Sequence, residues 1–206
     1  MVKQRIIAIG REYGSGGHKI GEILAKKYGI PLYDKEMIEV IAKEKNLDLD
    51  ELKKYDEIPR NRLFSRTVNG FSNSPEETIS QMQFDFLREK ANSGESFVVV
   101  GRCATSILKD NENMVSIFVT GDLVYEATRI SKMYRITEVE GEAMVEKVNK
   151  QRKQYHNYYC KEKWGDSRHY DLIINSSRVG IQNAADIIDS YISLIQNDDK
   201  TPETHR

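Results

Sequence analysis

The sequence predicts an α/β protein built on a five-stranded parallel sheet with helices on both faces, a three-layer arrangement. Three observations predict it. Five short runs of apolar residues are hydrophobic from end to end, as strands covered on both faces are. Stretches with helical spacing separate these runs, and a helical crossover is what lets successive strands run parallel. The first run closes on "GREYGSGG", Gly10 to Gly17, a glycine-rich turn that leads straight into a helical pattern.

Each element follows from its residues. Arg5 to Ile9 is a β-branched run and reads as the first strand. From Lys19 to Tyr28, Ile20, Ile23, Leu24 and Ala25 fall on one helical face, and Gly29 ends the helix. Ile30 to Asp34 is the second strand, and Lys35 to Lys45 is helical. Leu47 to Phe64 is charged and mostly helical, with a break at Pro59. Val68 to Glu77, rich in Asn, Ser, Gly and Pro, reads as a loop. Glu76 to Ala91 is a long helix, with Ser74 expected as its N-cap and Pro75 in its first position. "SFVVVG", Ser96 to Gly101, is the clearest strand, and Ala104 to Leu108 a short helix. Val115 to Gly121 is the fourth strand, followed by helices over Leu123 to Tyr134 and Glu140 to Tyr159. Tyr170 to Ser177 is the fifth strand, and Ile181 to Ile195 an amphipathic last helix before a polar, frayed tail. The chain carries no internal repeat.

Composition narrows the function. The chain has 206 residues, enough for one well-cored domain spanning 1–206, and a net charge of -1 despite 31% charged residues. Such a balance gives no global field toward nucleic acid or an anionic membrane surface. No apolar run reaches the ~20 residues of a membrane span, and the strand pattern at the N-terminus leaves no room for a signal peptide. Two cysteines, Cys103 and Cys160, stand far apart without metal-ligand spacing, which fits a reducing cytoplasm. The four histidines show no metal-ligand spacing either, so no protein metal site is expected. Oligomeric state is not written in these residues.

In a parallel sheet of this kind, ligands bind beyond the carboxyl ends of the strands. That edge collects Gly10 to Gly17, Asp34, Arg102, Asp122 and the Ser176 to Arg178 turn. The glycine turn aims main-chain N–H groups and a helix dipole at one point, the construction of a phosphate cradle. It is not the dinucleotide fingerprint, whose third glycine would fall on Lys19.

These residues resemble the cytidylate kinase-like proteins of the P-loop nucleoside monophosphate kinase superfamily. "IGREYGSGGHKIGEILAKKYGIPLYDKEMI", "VVVGRCATSIL" and "KQRKQYHNYYCKEKWGDSRHYDLIINSS" carry the resemblance in this order over nearly the whole chain. It implies the P-loop NTPase fold, with a nucleotide-monophosphate-binding insertion over about 36–92 and a lid over about 122–165. It also implies an ATP-dependent kinase that moves the γ-phosphoryl group, with Mg²⁺, to a nucleoside monophosphate, CMP or dCMP foremost. A kinase of another small acceptor, or a nucleotide-binding regulator without turnover, remains open.

The resemblance assigns roles residue by residue, with departures. Tyr13, Gly14, Ser15, Gly16, Gly17 and His18 would hold the donor phosphates. The ordinary pattern G-x-x-x-x-G-K-[ST] would begin at Arg11, so its lysine falls on Gly17 and its hydroxyl on His18. Arg11 or Lys19 would have to supply the missing charge. Asp34 would orient the acceptor or reach Mg²⁺ through water, or else cap the next helix. Arg102 would grip the acceptor phosphate, as guanidinium geometry favours. Val40 stands where the family carries an arginine, so Arg60 or Arg62 would help hold that phosphate. Arg129 and Arg152 would close as lid cations over the transferring group, joined by Arg135 and Lys150. Asn149 stands in place of the family's aspartate between them. The aromatics from Tyr155 to Trp164 would stack on a base or anchor the lid to the body.

Overall fold

The computed structural model describes residues 3–53, 67–68, 71–72 and 75–197. Strands β1 (Ile6–Arg11), β2 (Leu32–Tyr33), β5 (Phe97–Val100), β6 (Met114–Thr120) and β7 (Leu172–Asn175) form one parallel sheet in the order β2-β5-β1-β6-β7. The register sets Ile9 beside Val100 on one side and Ile117 on the other, so β1 and β6 run on past the end of β5, to Arg11 and Thr120. This is the fold class that the sequence predicts.

Both faces of the sheet are dry, and the side-chain period of two divides the strands between them. Ile7, Ile9, Val98, Val100, Ile117 and Val119 face helices α1 (Gly17–Tyr28) and α9 (Ile181–Asn197), where Ile20, Leu24, Ala184, Ile188 and Ile192 complete the layer. Ile6, Ala8, Phe97 and Val99 face the other way, onto α2 (Met37–Lys45), α4 (Pro75–Asn92) and α5 (Ala104–Ile107) through Met37, Ile41, Phe86, Leu87 and Leu108. Full burial of one such side chain is worth about 1.5–3 kcal/mol, which is why the sheet resists opening at its centre.

Gly29 ends α1 in the left-handed region, at φ 63°, and its N–H returns to the last turn. A short helix α3 (Leu49–Lys53) lies in the charged stretch, whose remainder to residue 66 is outside the described residues, as is Ser74. In and beside the segment expected as a loop, two short strands, β3 (Thr67–Val68) and β4 (Phe71–Ser72), form one antiparallel pair.

Helix α6 (Leu123–Tyr134) and helix α7 (Glu138–Tyr159) form a long hairpin beyond β6. Arg135 turns the corner at φ 56°. Helix α7 starts two residues before the expected Glu140, because Thr137 and Glu140 make a reciprocal capping box. Gly141 lets the two helices touch: a Cβ there would come within 2.7 Å of the Ala127 carbonyl oxygen. After β7 the chain turns at once into the one-turn helix α8 (Ser176–Val179), where the sequence suggested two more strand residues. Among the described residues no helix is long and apolar enough to cross a membrane.

Candidate active site

The site grows from the junction of β1 and α1. Gly14 and Gly16 adopt φ 90° and 86°, a region that costs an ordinary residue strain. A Cβ on Gly14 would also strike the backbone of Glu126 at 2.8 Å. Among the described residues, the main-chain N–H groups of Gly14, Ser15, Gly16 and Gly17 have no protein acceptor. They stand at the positive end of α1, where bare N–H groups favour an anion. Gly14, Gly16, Gly17, His18 and Lys19 line a cavity of about 610 Å³, closed on its far side by Arg129, Met133, Tyr134 and Arg152.

The turn is rigidly held from beneath. Ser15 is fully buried and its hydroxyl donates to the Glu12 carbonyl at 2.9 Å. The buried hydroxyl of Ser176 sits between the carbonyl oxygens of Ser15 and Thr120, 2.5 and 3.1 Å away. Glu12 turns its carboxylate to the Thr120 hydroxyl and to the Gly121 N–H.

The helical hairpin touches the turn at several points. Asn149 accepts the Tyr13 N–H at 2.7 Å. Arg129 donates to the Gly14 carbonyl and Arg152 to the Arg11 carbonyl, each at 3.2 Å. Arg152 also lies over the Tyr13 ring, 5.3 Å from its centroid. Arg129 and Arg152 are therefore at the turn, as the sequence suggests, whereas Arg135 and Lys150 face outward. The amide of Asn149 supplies the same acceptor that an aspartate would, without the charge.

The two candidate cations have different surroundings. Lys19 is mostly exposed and pairs with Glu22 at 2.5 Å. Arg11 packs against the turn on the opposite side of the sheet edge, so close to Gly101 that a side chain there would collide with its guanidinium. It lines both the 610 Å³ cavity and a second one of about 510 Å³ that holds Arg102, Gln151, Tyr155 and Trp164. Arg152 is shared by both cavities as well.

Asp34 and His18 meet at 2.5 Å between His18 Nε2 and Asp34 Oδ2. The other Asp34 oxygen accepts the Glu36 N–H at 2.8 Å, so the carboxylate both faces the cavity and fixes the start of the following turn. Burial works to raise the Asp34 pKa, but the His18 bond, the Glu36 N–H and the charges of His18 and Arg102 outweigh it and hold it below the usual value. The bond to Asp34 raises the His18 pKa against burial, with help from the Asp34 and Glu22 charges. Where the family pattern has a hydroxyl, this chain presents an imidazole already engaged with a carboxylate.

Arg102 is almost fully buried beyond β5, in the left-handed region at φ 57°, and lines the second cavity. Arg60 and Arg62 lie outside the described residues. Val40 is on the exposed face of α2. The aromatic stretch is packing: Tyr155 lies tilted against Tyr159 on the same helix, Tyr159 meets Phe84 edge-on, and the Tyr155 hydroxyl donates to Ser80. These contacts tie α7 to α4, while Tyr155 and Trp164 also line the Arg102 cavity.

Two groups escaped the sequence reading. Glu126 is buried, and one of its oxygens has no hydrogen-bond partner. Burial first, and then repulsion from Glu12, push its pKa up to about 8. Cys103, His156 and Cys160 converge, with one ligand atom from each lying within 4.8 Å of the others. Spacing alone shows no metal motif, and it is the fold that brings these three side chains together. His156, in the last turn of α7, and Cys160, its C-cap, are four apart, and that interval was the available signal. The Cys160 thiol is pulled down to about 5, chiefly by a hydrogen bond from Cys103 and then by His156, against burial.

Comparison with known proteins accords with this geometry. Residues 6–178 match the model of the cytidylate kinase-like family. The cytidylate kinase of Methanococcus vannielii is 31% identical over 191 residues, covering 91% of this chain and 99% of that protein. An uncharacterized protein from Eubacterium ventriosum, known by crystal structure, is 41% identical with a TM-score of 0.74, covering 92% of this chain and 99% of that one. Shikimate kinase from Bacteroides thetaiotaomicron shares the fold at 13% identity and a TM-score of 0.55, covering 92% of this chain and 98% of that one. With a matched stretch that runs from the first residue of β1 into α8, the chain belongs to the cytidylate kinase-like family.

Proposed function

We propose that the protein is an ATP-dependent kinase that transfers the γ-phosphoryl group to a nucleoside monophosphate, with CMP and dCMP the first acceptors in line. One observation carries the reading: Gly14, Gly16 and Gly17, whose N–H groups are bare, line a cavity together with Arg11, Arg129 and Arg152. Donors without partners at a helix N-terminus, with cations around them, suit a polyphosphate. The curated relative named above is a cytidylate kinase, which favours a pyrimidine acceptor.

The residues fit ATP better than they fit a protein-held Mg²⁺. Glu12 is committed to Thr120 and Gly121, and Asp34 to His18 and Glu36. Mg²⁺ would therefore be held largely by the nucleotide's phosphates and by water, as this ion tolerates, with Asp34 and Glu12 lining the same cavity. When bound, ATP and Mg²⁺ supply the transferable group and its charge neutralisation. The chain's part is to position. The turn orients the donor, Arg102 holds the acceptor phosphate in the adjoining cavity, and Arg11, common to both cavities, stands in for the missing lysine. Arg129 and Arg152 bring positive charge from the hairpin, which serves as a lid over about 122–165 and excludes water from the transfer. Helices α2 to α4 serve as the acceptor-binding insertion over about 36–92.

Steady-state assays with Mg·ATP against CMP, dCMP, UMP, AMP, GMP and shikimate test this. We expect turnover with CMP or dCMP, and an Arg102→Ala variant whose acceptor KM rises about 10-fold or more with little change for ATP. Turnover with a different acceptor would reassign the substrate, a reading favoured by Val40 where the family has an arginine. ATP binding without transfer to any acceptor would favour the regulatory reading, which the engaged His18 supports. No ATP binding at all would overturn the proposal.

A further inference from the structure

We propose that Cys103, His156 and Cys160 form a zinc site that staples the end of helix α7 to the turn carrying Arg102. The three come from two walls of the same cavity region. Cys103 caps α5, immediately after Arg102, while His156 lies in the last turn of α7 and Cys160 is its C-cap. One ligand atom from each lies within 4.8 Å of the others, so small rotamer adjustments bring all three to the ~2.0–2.3 Å bonds of a tetrahedral zinc centre.

The chemistry selects the ion. Two sulfurs and an imidazole suit Zn²⁺, whereas Mg²⁺ and Ca²⁺ require oxygen ligands. On binding, Cys103 and Cys160 give up their thiol protons to solvent, and two thiolates cancel the charge of the divalent cation. The complex is then neutral beside the Arg102 guanidinium, so the neighbouring positive charge does not oppose it.

His156 gives an independent reason. Its side chain is 94% removed from solvent, being 6% exposed, and among the described residues its Nε2 has no hydrogen-bond partner. A buried polar atom left this way is costly, and ligation through Nε2 would remove that cost. With three protein ligands the fourth position is left for water or a bound anion, and Cys103 and His156 both line the cavity that holds Arg102. Metal binding would fix the consecutive left-handed residues Arg102 and Cys103, at φ 57° and 55°, and so fix the arginine.

The test uses the full chain, purified under reduction and equilibrated with Zn²⁺ or Co²⁺. We expect one metal per chain by elemental analysis, and thiolate-to-cobalt charge-transfer absorption in the Co²⁺ form. Bound Zn²⁺ should protect both cysteines from alkylation until a chelator is added, and should raise the Tm of the parent. Cys160→Ser and His156→Asn should each weaken Zn²⁺ binding about 100-fold or more. Should one variant fold poorly, the alkylation measurement on the parent stands by itself. Failure to retain metal, equal affinity in the folded variants, or a Cys103–Cys160 disulfide in place of metal uptake would each overturn the proposal.

Discussion

Asn149 and Tyr13 are joined across 136 positions of sequence by a 2.7 Å hydrogen bond from the Tyr13 N–H to the Asn149 side-chain oxygen. The bond fixes the helical hairpin to the phosphate turn, next to the Arg152 contact with the Arg11 carbonyl. It requires an acceptor and no charge. Asn149→Ala strands the Tyr13 N–H, and we expect a loss of about 1 kcal/mol in urea unfolding together with a raised KM for ATP. Asn149→Asp keeps the acceptor and should match the parent within about 0.5 kcal/mol. Equal losses in both variants would show that the contact depends on more than the accepting oxygen.

His18 and Asp34 predict a pH window for stability. The His18 pKa is raised, so its contribution is complete below its ordinary value of 6.5 and fades as pH rises through the folded value. The Asp34 pKa is lowered, so its contribution is present above its ordinary value of 3.8 and fades as pH falls through the folded value. The pair therefore stabilises most between about pH 4 and 6.5. His18 is half exposed, and solvent limits the gain to about 1 kcal/mol or less. Urea titrations of the parent and His18→Gln should differ most near pH 5–6 and converge in alkaline buffer. A difference that does not vary with pH would exclude the ion pair as its source.

The strands were legible because their physics is local. Phe97 to Val100 is buried residue by residue, and a parallel strand covered on both faces must be apolar at every position. Gly29 announced the end of α1 for an equally local reason. The capping box at Thr137 and Glu140 was also written in the sequence, as T-x-x-E, and moves the start of α7 back to Glu138. The contacts that hold the phosphate turn were not legible. Asn149, Ser176 and Glu126 are polar residues on helices, and nothing in their own neighbourhood says that they face residues more than 100 positions away. The contrast between Arg11 and Lys19 was hidden in part for the same cause: Lys19 is held locally by Glu22, three residues on, whereas only tertiary packing sets the Arg11 guanidinium against Gly101 between the two cavities.

Glu126 predicts the opposite pH slope from Asp34. Its folded pKa is pushed up to about 8 from an ordinary 4.5 by burial and by Glu12. Between those values the native protein keeps a proton that the unfolded chain releases, so stability falls as pH rises through the window. Glu126→Gln removes this titration. We expect the variant to gain on the parent steadily from pH 5 to 8, at up to about 1.4 kcal/mol per pH unit, and to level off above. A constant packing cost of the amide would shift the whole curve and leave its slope unchanged. Parallel curves for parent and variant would mean that Glu126 is ionised in the native state.

The last prediction separates the two candidates for the missing loop charge. Lys19 is 61% exposed and bonded to Glu22, so moving it onto a phosphate would break an existing pair for little gain. Arg11 lines both cavities, and its guanidinium packs on Gly101 beside Arg102, between the proposed donor and acceptor. A cation there would act on charge that develops during transfer, and such a group is worth about 10²–10³ in kcat. Arg11→Ala should therefore lower kcat by roughly that factor, while Lys19→Ala should stay within about 3-fold of the parent. Arg11→Lys would regain part of the loss, because it restores the charge without the planar fork. The reverse ranking, a severe loss at Lys19 with Arg11→Ala near normal, would move the substituting charge from the strand end to the first turn of α1.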